Sequence, residues 1–208
     1  MASEHGIDPQ NTEAVRPFDR KRPKTMSNEE WVKPHDPDAK IGRTKAGATD
    51  MIYQPEHTVD LDTGAIAQAA VRLGHEPDAQ DLSLQVLQAQ ANINQAQAAA
   101  ADALTVQSAT GAKSYHAVGE MKQLQAEGIR TVISDPVKNR KLEKLGKAEA
   151  QVVRKAKRSA GSESGKALLR RRGMHLERSF AHILDAGGAR RTTLSRIHVV
   201  EKMPPTGE

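Results

Sequence analysis

The segment His57-Thr58-Val59-Asp60-Leu61-Asp62-Thr63-Gly64-Ala65 sets the fold class of this 208-residue chain. Side chains of apolar and polar character alternate up to the turn at residues 62–64, and the alternation resumes over residues 65–73. A period of two on both sides of a short glycine-containing turn is typical of a β-hairpin. The sequence therefore predicts two antiparallel strands joined at Asp62-Thr63-Gly64.

Helices and further strands follow the hairpin along the chain. An apolar stripe at helical spacing begins at Leu82, where Asp78 or Asp81 can cap the first turn, and Gly128 is placed to end a second helix. The predicted elements are a helix from about residue 82, a strand over 104–106, a helix over 116–127 and a strand over 129–133. This order of elements predicts an α/β fold with a mixed sheet.

The two ends of the chain differ from this central region. Residues 1–50 are polar and contain five prolines, so we expect an extended arm with little structure of its own. Beyond Pro136 the chain is rich in lysine. The last clear helix is predicted over residues 165–184, and Gly187-Gly188 end it.

The composition excludes several classes of protein. Without cysteine there is no disulfide framework, thiolate zinc site or cysteine nucleophile. No apolar run approaches the roughly 18 residues of a membrane span. The first residues also lack the basic and apolar regions of a secretory signal. The sequence predicts a cytoplasmic protein with no membrane partner.

Charge is divided unevenly along the chain. Residues 1–110 carry 10 basic and 16 acidic side chains, whereas residues 138–196 carry 17 Lys and Arg against five Asp and Glu. A concentrated basic segment favours a polyanionic partner, and nucleic acid is the commonest one inside a cell. The plainer alternative is a solvated helix face.

Markers of the common enzyme classes are missing from the sequence. It has no Gly-rich phosphate loop, no His-Glu-x-x-His and no Gly-x-Ser-x-Gly. His175 and His182 lie on one predicted helix, but a zinc site needs three or four ligands, so we expect surface histidines. Acids beside abundant phosphate-binding charge remain, and this combination suits divalent-metal chemistry on nucleic acid.

Four motifs are more specific than this charge pattern. They are Phe18-Asp19-Arg20-Lys21-Arg22 with Ser27-Asn28-Glu29-Glu30-Trp31; Asp36-Pro37-Asp38-Ala39-Lys40-Ile41 with residues 53–65; Lys113-Ser114-Tyr115-His116; and Leu169-Arg170-Arg171-Arg172-Gly173 with Glu177-Arg178-Ser179-Phe180-Ala181-His182. Together and in this order they resemble the bacterial insertion-sequence transposases of the DDE class. The resemblance covers roughly residues 1–195.

The resemblance implies an RNase H-like fold, which is a mixed sheet with flanking helices. In that family three acids coordinate Mg²⁺ for cleavage and joining of transposon ends. Glu177 matches the third acid, and the resemblance makes it catalytic and metal-binding. The second acid falls on Ala112, and the first belongs to a strand expected upstream of this chain. The resemblance therefore implies a truncated transposase whose sheet lacks its first strand and whose catalytic centre is impaired.

The same resemblance implies a domain organisation and a partner. Residues 1–50 would be a basic connector arm, residues 51–196 a partial DDE domain, and residues 197–208 a divergent polar tail. The partner would be double-stranded DNA at transposon ends in the nucleoid, and a homodimer is expected because intact relatives act as oligomers. The residues expected to bind DNA are Lys113, Tyr115, His116, Arg170, Arg171, Arg172 and Arg178.

Plainer interpretations stay open at this point. Taken alone, Glu177 would be an ion-pair partner of neighbouring arginines, worth about a few tenths of a kcal/mol. Packing explains Tyr115 and His116 as well as DNA contact does. For the whole chain, one alternative is a non-catalytic DNA-binding protein that competes at transposon ends. Another is a chain that does not fold, because the loss of a central strand exposes two sheet edges.

Overall fold

The computed structural model describes residues 5–8, 10–21, 28, 31–43, 47–97 and 104–188. The chain divides into two compact units, Met1–Val32 and Lys33–Glu208. The predicted tail at residues 197–208 lies outside the described residues. None of the described helices combines the length with the apolar character that crossing a bilayer requires.

The first unit contains a helix, α1 (Thr12–Lys21), within the segment predicted to be extended. The Oδ1 atom of Asn11 accepts hydrogen bonds from the backbone N–H groups of Glu13 and Ala14, at 3.2 Å each, and so caps the helix. An acidic side chain in the first turn and basic side chains in the last turn suit the helix dipole. The prediction of little structure is wrong here because these local interactions offset Pro17.

An antiparallel sheet belongs to the second unit. Its strands are β1 (Lys40–Arg43), β2 (Thr49–Val59) and β3 (Ile66–Leu73), in the order β1-β2-β3. The predicted hairpin is confirmed, since β2 and β3 pair antiparallel on either side of the turn. The prediction of an extended arm over residues 1–50 is also wrong at β1, which lies within that segment and pairs with the first residues of β2.

Asp60 builds the turn of this hairpin. Its carboxylate accepts hydrogen bonds from the Oγ1 hydroxyl of Thr63 at 2.5 Å and from the backbone N–H groups of Asp62 and Thr63. The hydrogen bond from Thr63 lowers the pKa of Asp60. Gly64 takes the φ of 80° that the turn requires, a conformation that other residues rarely adopt. The turn lies at residues 62–64 as predicted, but its side-chain contacts come from Asp60 and not from Asp62.

A pair of parallel strands forms a second sheet. Its strands are β4 (Ser108–Gly111) and β5 (Arg130–Ile133), and the helix α3 (Val118–Ala126) connects them. The predicted helix ended by Gly128 and the strand at 129–133 are confirmed. The strand predicted at 104–106 is wrong, because Val106 gives its backbone N–H to the Gln90 side chain and the pairing with β5 begins at Ser108.

The helix α2 (Leu82–Ala96) carries the predicted apolar stripe but not the predicted cap. Asp81 stands before the helix with a φ of 63°, and its side chain makes no capping hydrogen bond. The Oε2 atom of Glu120 on α3 instead accepts the backbone N–H of Ser83 at 2.8 Å. A carboxylate from a neighbouring helix thus does the work of a local cap.

Two more helices complete the described fold, α4 (Lys147–Gly161) and α5 (Glu163–Ala181), and α5 continues into a π-helical turn, His182–Ala186. The predicted last helix is confirmed. The sharp corner between them depends on Gly165, because a Cβ atom there would lie 1.9 Å from the backbone oxygen of Ser159. The core lies between the helices and the parallel strands, and its buried side chains are Leu82, Val86, Ala109, Met121, Leu124, Ile129, Ile133, Val152 and Ala156.

The strands do not form the single mixed sheet that the sequence predicts. The α/β class is confirmed, but the described strands form one antiparallel sheet of three and one parallel sheet of two. β1 pairs only with Thr49–Ile52, so no described strand lies beside residues 53–59 of β2 on that side. β4 likewise pairs with β5 on one side only. Among the described strands, residues 53–59 of β2 and the whole of β4 therefore have one side without a strand neighbour, and so do β3 and β5, the outer strands of the two sheets.

We expect Met121→Ala to lower the free energy of unfolding by about 2–5 kcal/mol, because its fully buried side chain would leave a cavity. Met174→Ala is the matched control, since that side chain is 60% exposed, and it should change the free energy by about 0.5 kcal/mol or less. Urea unfolding measures both. Equal effects in the two variants would show that Met121 does not lie in the core.

Candidate nucleic-acid interface

Three predicted DNA-binding residues follow β4 at the edge where both parallel strands end. A short 3-10 helix begins at Lys113 and ends at Tyr115, and His116 comes directly after it. Lys113 is exposed, whereas Tyr115 is partly buried and the His116 side chain is only 1% exposed. The DNA contact predicted for His116 is not available in this structure, because the protein covers the ring.

Tyr115 belongs to a buried polar network that joins the two sheets. Its hydroxyl donates a hydrogen bond to Oε1 of Glu56 on β2 at 2.6 Å, and Arg72 on β3 pairs with the same oxygen at 2.7 Å. Burial raises the pKa of Glu56, and the contacts with Tyr115 and Arg72 oppose that rise. Burial and the hydrogen bond to Glu56 raise the pKa of Tyr115. The hydroxyl of Tyr115 is therefore engaged inside the protein.

A second ion pair follows β5 at the same edge. Asp135 accepts two hydrogen bonds from Arg140, from Nε at 2.6 Å and from Nη2 at 3.0 Å. The hydrogen bond with Arg140 lowers the pKa of Asp135. His116 brings Nε2 to 3.9 Å from Asp135, but burial lowers the pKa of that histidine. At neutral pH the imidazole of His116 is therefore neutral, and it lies beside the carboxylate of Asp135, whose charge is balanced by Arg140.

The inner face of α5 packs against the hairpin. Arg171 donates hydrogen bonds to the backbone oxygen of Leu61 and to Asp62, the latter at 2.8 Å. Further along, the Phe180 ring lies 4.2 Å from the ring of His57, centroid to centroid. Arg171 holds the helix in place through these contacts, so its guanidinium is less available to bind DNA than those of the neighbouring arginines.

The outer face of α5 carries the remaining predicted residues. Arg170, Glu177 and Arg178 are exposed, and none of them forms an ion pair with a described residue. Arg172 is partly buried, and its Nε atom has no hydrogen-bond partner among the described residues. The predicted sites thus separate into an exposed set on α5 and a packed set after β4.

Sequence reasoning did not single out the cations of α4. Val152, Val153 and Ala156 are buried, whereas the side chains on the opposite face are exposed. The exposed cations of this helix are Lys147, Arg154, Lys155, Lys157 and Arg158. Their spacing around a buried apolar stripe is visible in the sequence and could have identified them.

The described residues do not fit a magnesium centre built on Glu177. No group of three or more His, Asp and Glu side chains that could hold a metal ion occurs in the part of the chain that the structure describes. Ala112, at the position of the second acid, offers only a methyl group, which cannot coordinate Mg²⁺. Glu177 is exposed and belongs to no such group, so the described residues support no metal-dependent step.

We expect Tyr115→Phe to lower the free energy of unfolding by about 1–3 kcal/mol, because the buried Glu56 would lose a donor. Affinity for DNA should not change, since the hydroxyl faces Glu56. Lys113→Ala is the comparison at the same edge. Because the side chain of Lys113 is exposed, we expect this change to weaken DNA binding and to leave the free energy of unfolding nearly unchanged. A loss of DNA affinity in Tyr115→Phe with unchanged stability would contradict the packing role. Urea unfolding and fluorescence anisotropy give the two readouts.

We expect stability to fall as pH decreases below about 6.5, because His57 is buried and its pKa is lowered from the ordinary value of 6.5. The unfolded chain then binds more protons than the folded chain, and stability continues to fall until the pH passes the lowered pKa. His57→Phe should flatten this dependence in urea unfolding at several pH values.

His75→Phe is the control for the pH experiment, because His75 is exposed. It should leave the pH dependence of the wild type unchanged. His116, whose pKa is lowered in the same direction, contributes to the slope that remains in His57→Phe, and Glu56, whose pKa is raised, opposes it. An unchanged slope in His57→Phe would contradict the burial of a neutral imidazole against Phe180.

Comparison of the chain with protein-family models, with curated proteins and with solved structures gives no match. The transposase resemblance therefore stays a prediction from the motifs.

Proposed function

We propose that this chain is a DNA-binding protein of the DDE transposase type that lacks a working catalytic centre of its own. The observation that carries the proposal is a set of exposed cations on α4 and α5, which we call the basic surface. Its members are Arg154, Lys155, Arg158, Arg170 and Arg178. None of them forms an ion pair with a residue that the structure describes.

The charge of this region supports a polyanionic partner. Residues 138–188 carry 14 Lys and Arg against five Asp and Glu. Where a Lys or Arg neutralises a DNA phosphate, condensed counterions are released, and this release supplies most of the non-specific affinity. Side chains of this kind position DNA through its backbone and carry little sequence information. The proposal is thus for backbone binding.

The arrangement of the strands supports an RNase H-like architecture. Residues 53–59 of β2 and the whole of β4 each have an open side, and Tyr115 connects the two regions through Glu56. One additional strand between those edges would join the antiparallel and parallel sheets into the mixed sheet that the resemblance implies. A strand at this place would pair with both β2 and β4, and this is what supports the RNase H-like proposal.

Catalysis is not part of the proposal for this chain. In intact relatives, three acids hold Mg²⁺ for strand cleavage, and the resemblance assigns only Glu177 to that set. Ala112 occupies the second position, and no described carboxylates gather around Glu177. We expect no nicking of DNA that carries matched transposon ends in the presence of Mg²⁺.

A second candidate function follows from the same features. A protein that keeps a basic surface but lacks the acids would compete with active transposase at transposon ends. Exposure of Arg170 and Arg178 beside an isolated Glu177 favours this reading over an active enzyme. Competition requires end-specific binding, so it predicts that the chain displaces an intact transposase from a matched end more efficiently than from random DNA.

We expect Arg170→Ala/Arg178→Ala to weaken binding to duplex DNA and to reduce the slope of log affinity against log salt concentration by about two, since about 0.9 counterions are released per neutralised phosphate. Fluorescence anisotropy at salt concentrations from about 50 to 200 mM measures both quantities.

Arg43→Ala/Lys122→Ala is the control for the DNA experiment, because it removes the same charge from exposed positions outside the basic surface. It should leave the salt slope unchanged. Equal losses in the two double variants would show that only net charge matters and would reject the basic surface. A flat salt response of the unmodified protein would reject DNA binding through phosphates.

A further inference from the structure

A small cleft lies between the loop that follows β5 and the last turns of α4. Its volume is about 250 Å³. Val137, Leu142 and Val153 form its apolar walls, whereas its charged groups come from the loop and from α4. This volume lies just below the roughly 300–1,000 Å³ of sites for drug-sized ligands, so the cleft fits a small group.

The charges that line the cleft do not cancel. Asp135 is compensated by Arg140, which grips both carboxylate oxygens at 2.6 and 3.0 Å. Lys138 and Lys157 also line the cleft, both are exposed, and neither forms an ion pair with a described residue. Two positive charges therefore face a small cavity without a protein anion.

The C-terminal end of α4 lies beside these two lysines. Lys157 is in the final turns of the helix, where a cation is favoured. Two carbonyl groups at that end already have donors, since the N–H of Ser162 donates to the oxygens of Arg158 and Ser159, and Arg130 also donates to the oxygen of Ser159. Lys138, which lies on the loop after β5, adds a positive charge from outside the helix.

We propose that this cleft binds a phosphate group, held by Lys138 and Lys157 and reached by the guanidinium of Arg140. Charge-assisted hydrogen bonds from ammonium and guanidinium groups are the strongest that proteins make to phosphate oxygens. The phosphate is carried by a small phosphorylated molecule or by a DNA end. The site uses residues outside the basic surface and does not depend on the DNA-binding proposal.

The test is a calorimetric titration of the purified full-length protein with inorganic phosphate and with a deoxynucleoside 5′-monophosphate. We expect saturable binding, weakened about tenfold or more in Lys138→Ala/Lys157→Ala, because charged hydrogen bonds contribute on the scale of a tenfold change each. Lys122→Ala/Lys147→Ala removes the same charge from exposed positions outside the cleft and should change affinity less than about twofold.

Asp135→Asn gives a second measurement with the opposite sign. Removing the carboxylate frees Arg140 and removes a negative charge from the cleft, so phosphate should bind more tightly. A thermal melt confirms that each variant is folded. Weaker binding in Asp135→Asn, no saturable binding in the unmodified protein, or equal losses in the two lysine double variants would overturn the proposal.

A final comparison identifies the source of the phosphate. Duplex oligonucleotides with and without a 5′-phosphate are titrated against the protein and Lys138→Ala/Lys157→Ala. A preference for the phosphorylated end that disappears in the variant supports the cleft and assigns it to DNA ends. Binding of the small phosphates alone supports the cleft and assigns it to a free metabolite. Either result is independent of Arg170 and Arg178, so failure of the basic surface and failure of the cleft are distinguishable.

Discussion

The hydrogen bond between Tyr115 and Glu56 connects the two halves of the second unit, and the rest of that unit depends on it. It joins residues 59 positions apart in the chain at a distance of 2.6 Å. Glu56 tolerates burial because Arg72 supplies a positive charge 2.7 Å away. A buried carboxylate without such a partner would lower the stability of the folded state by roughly several kcal/mol. The hairpin and the parallel strands are therefore fixed to each other by a polar contact, where a continuous sheet would have used backbone pairing.

The helix α5 provides a second connection, and it divides its surface between structure and solvent. Its inner face holds the hairpin through Arg171 and Phe180, and its start is held through the contact of Ser162 with Arg130 at 2.8 Å. The outer face is left with Arg170 and Arg178 exposed. Because the inner contacts fix the direction of the helix, the outer cations have a defined position. A polyanion would meet a preorganised row of charges there.

The predictable parts of the fold are those whose pattern is local. The hairpin around Gly64, the stripe that begins at Leu82 and the helix that ends at Gly128 were all visible as periodicity with turn residues at the right places. β1 and β4 were not, since each has only four residues, which is too short to show a clear period, and β4 pairs with a strand on the far side of α3. The composition of residues 104–106 favours a strand. They do not form one, because the backbone N–H of Val106 donates to the side chain of Gln90 on α2.

The candidate sites separate along the same line. Exposure of Arg170, Glu177 and Arg178 follows from helical spacing, which the sequence contains. The packing of Tyr115 and His116 depends on Glu56 in β2 and on Asp135 in the loop after β5, so no local pattern could have assigned it. The cleft cations Lys138 and Lys157 were hidden in a basic segment, where composition alone does not distinguish a lined cavity from a solvated face.

The open edges of β2 and β4 have a consequence for how this protein behaves at high concentration. Unpaired N–H and C=O groups along a strand are a template for any extended chain that reaches them. Association of that kind runs through the main chain and does not weaken when salt is added, in contrast to contacts made by lysine and arginine. The surplus of positive charge keeps neighbouring copies apart, and salt screens this repulsion. Single copies are therefore expected to persist best at low protein concentration and low ionic strength.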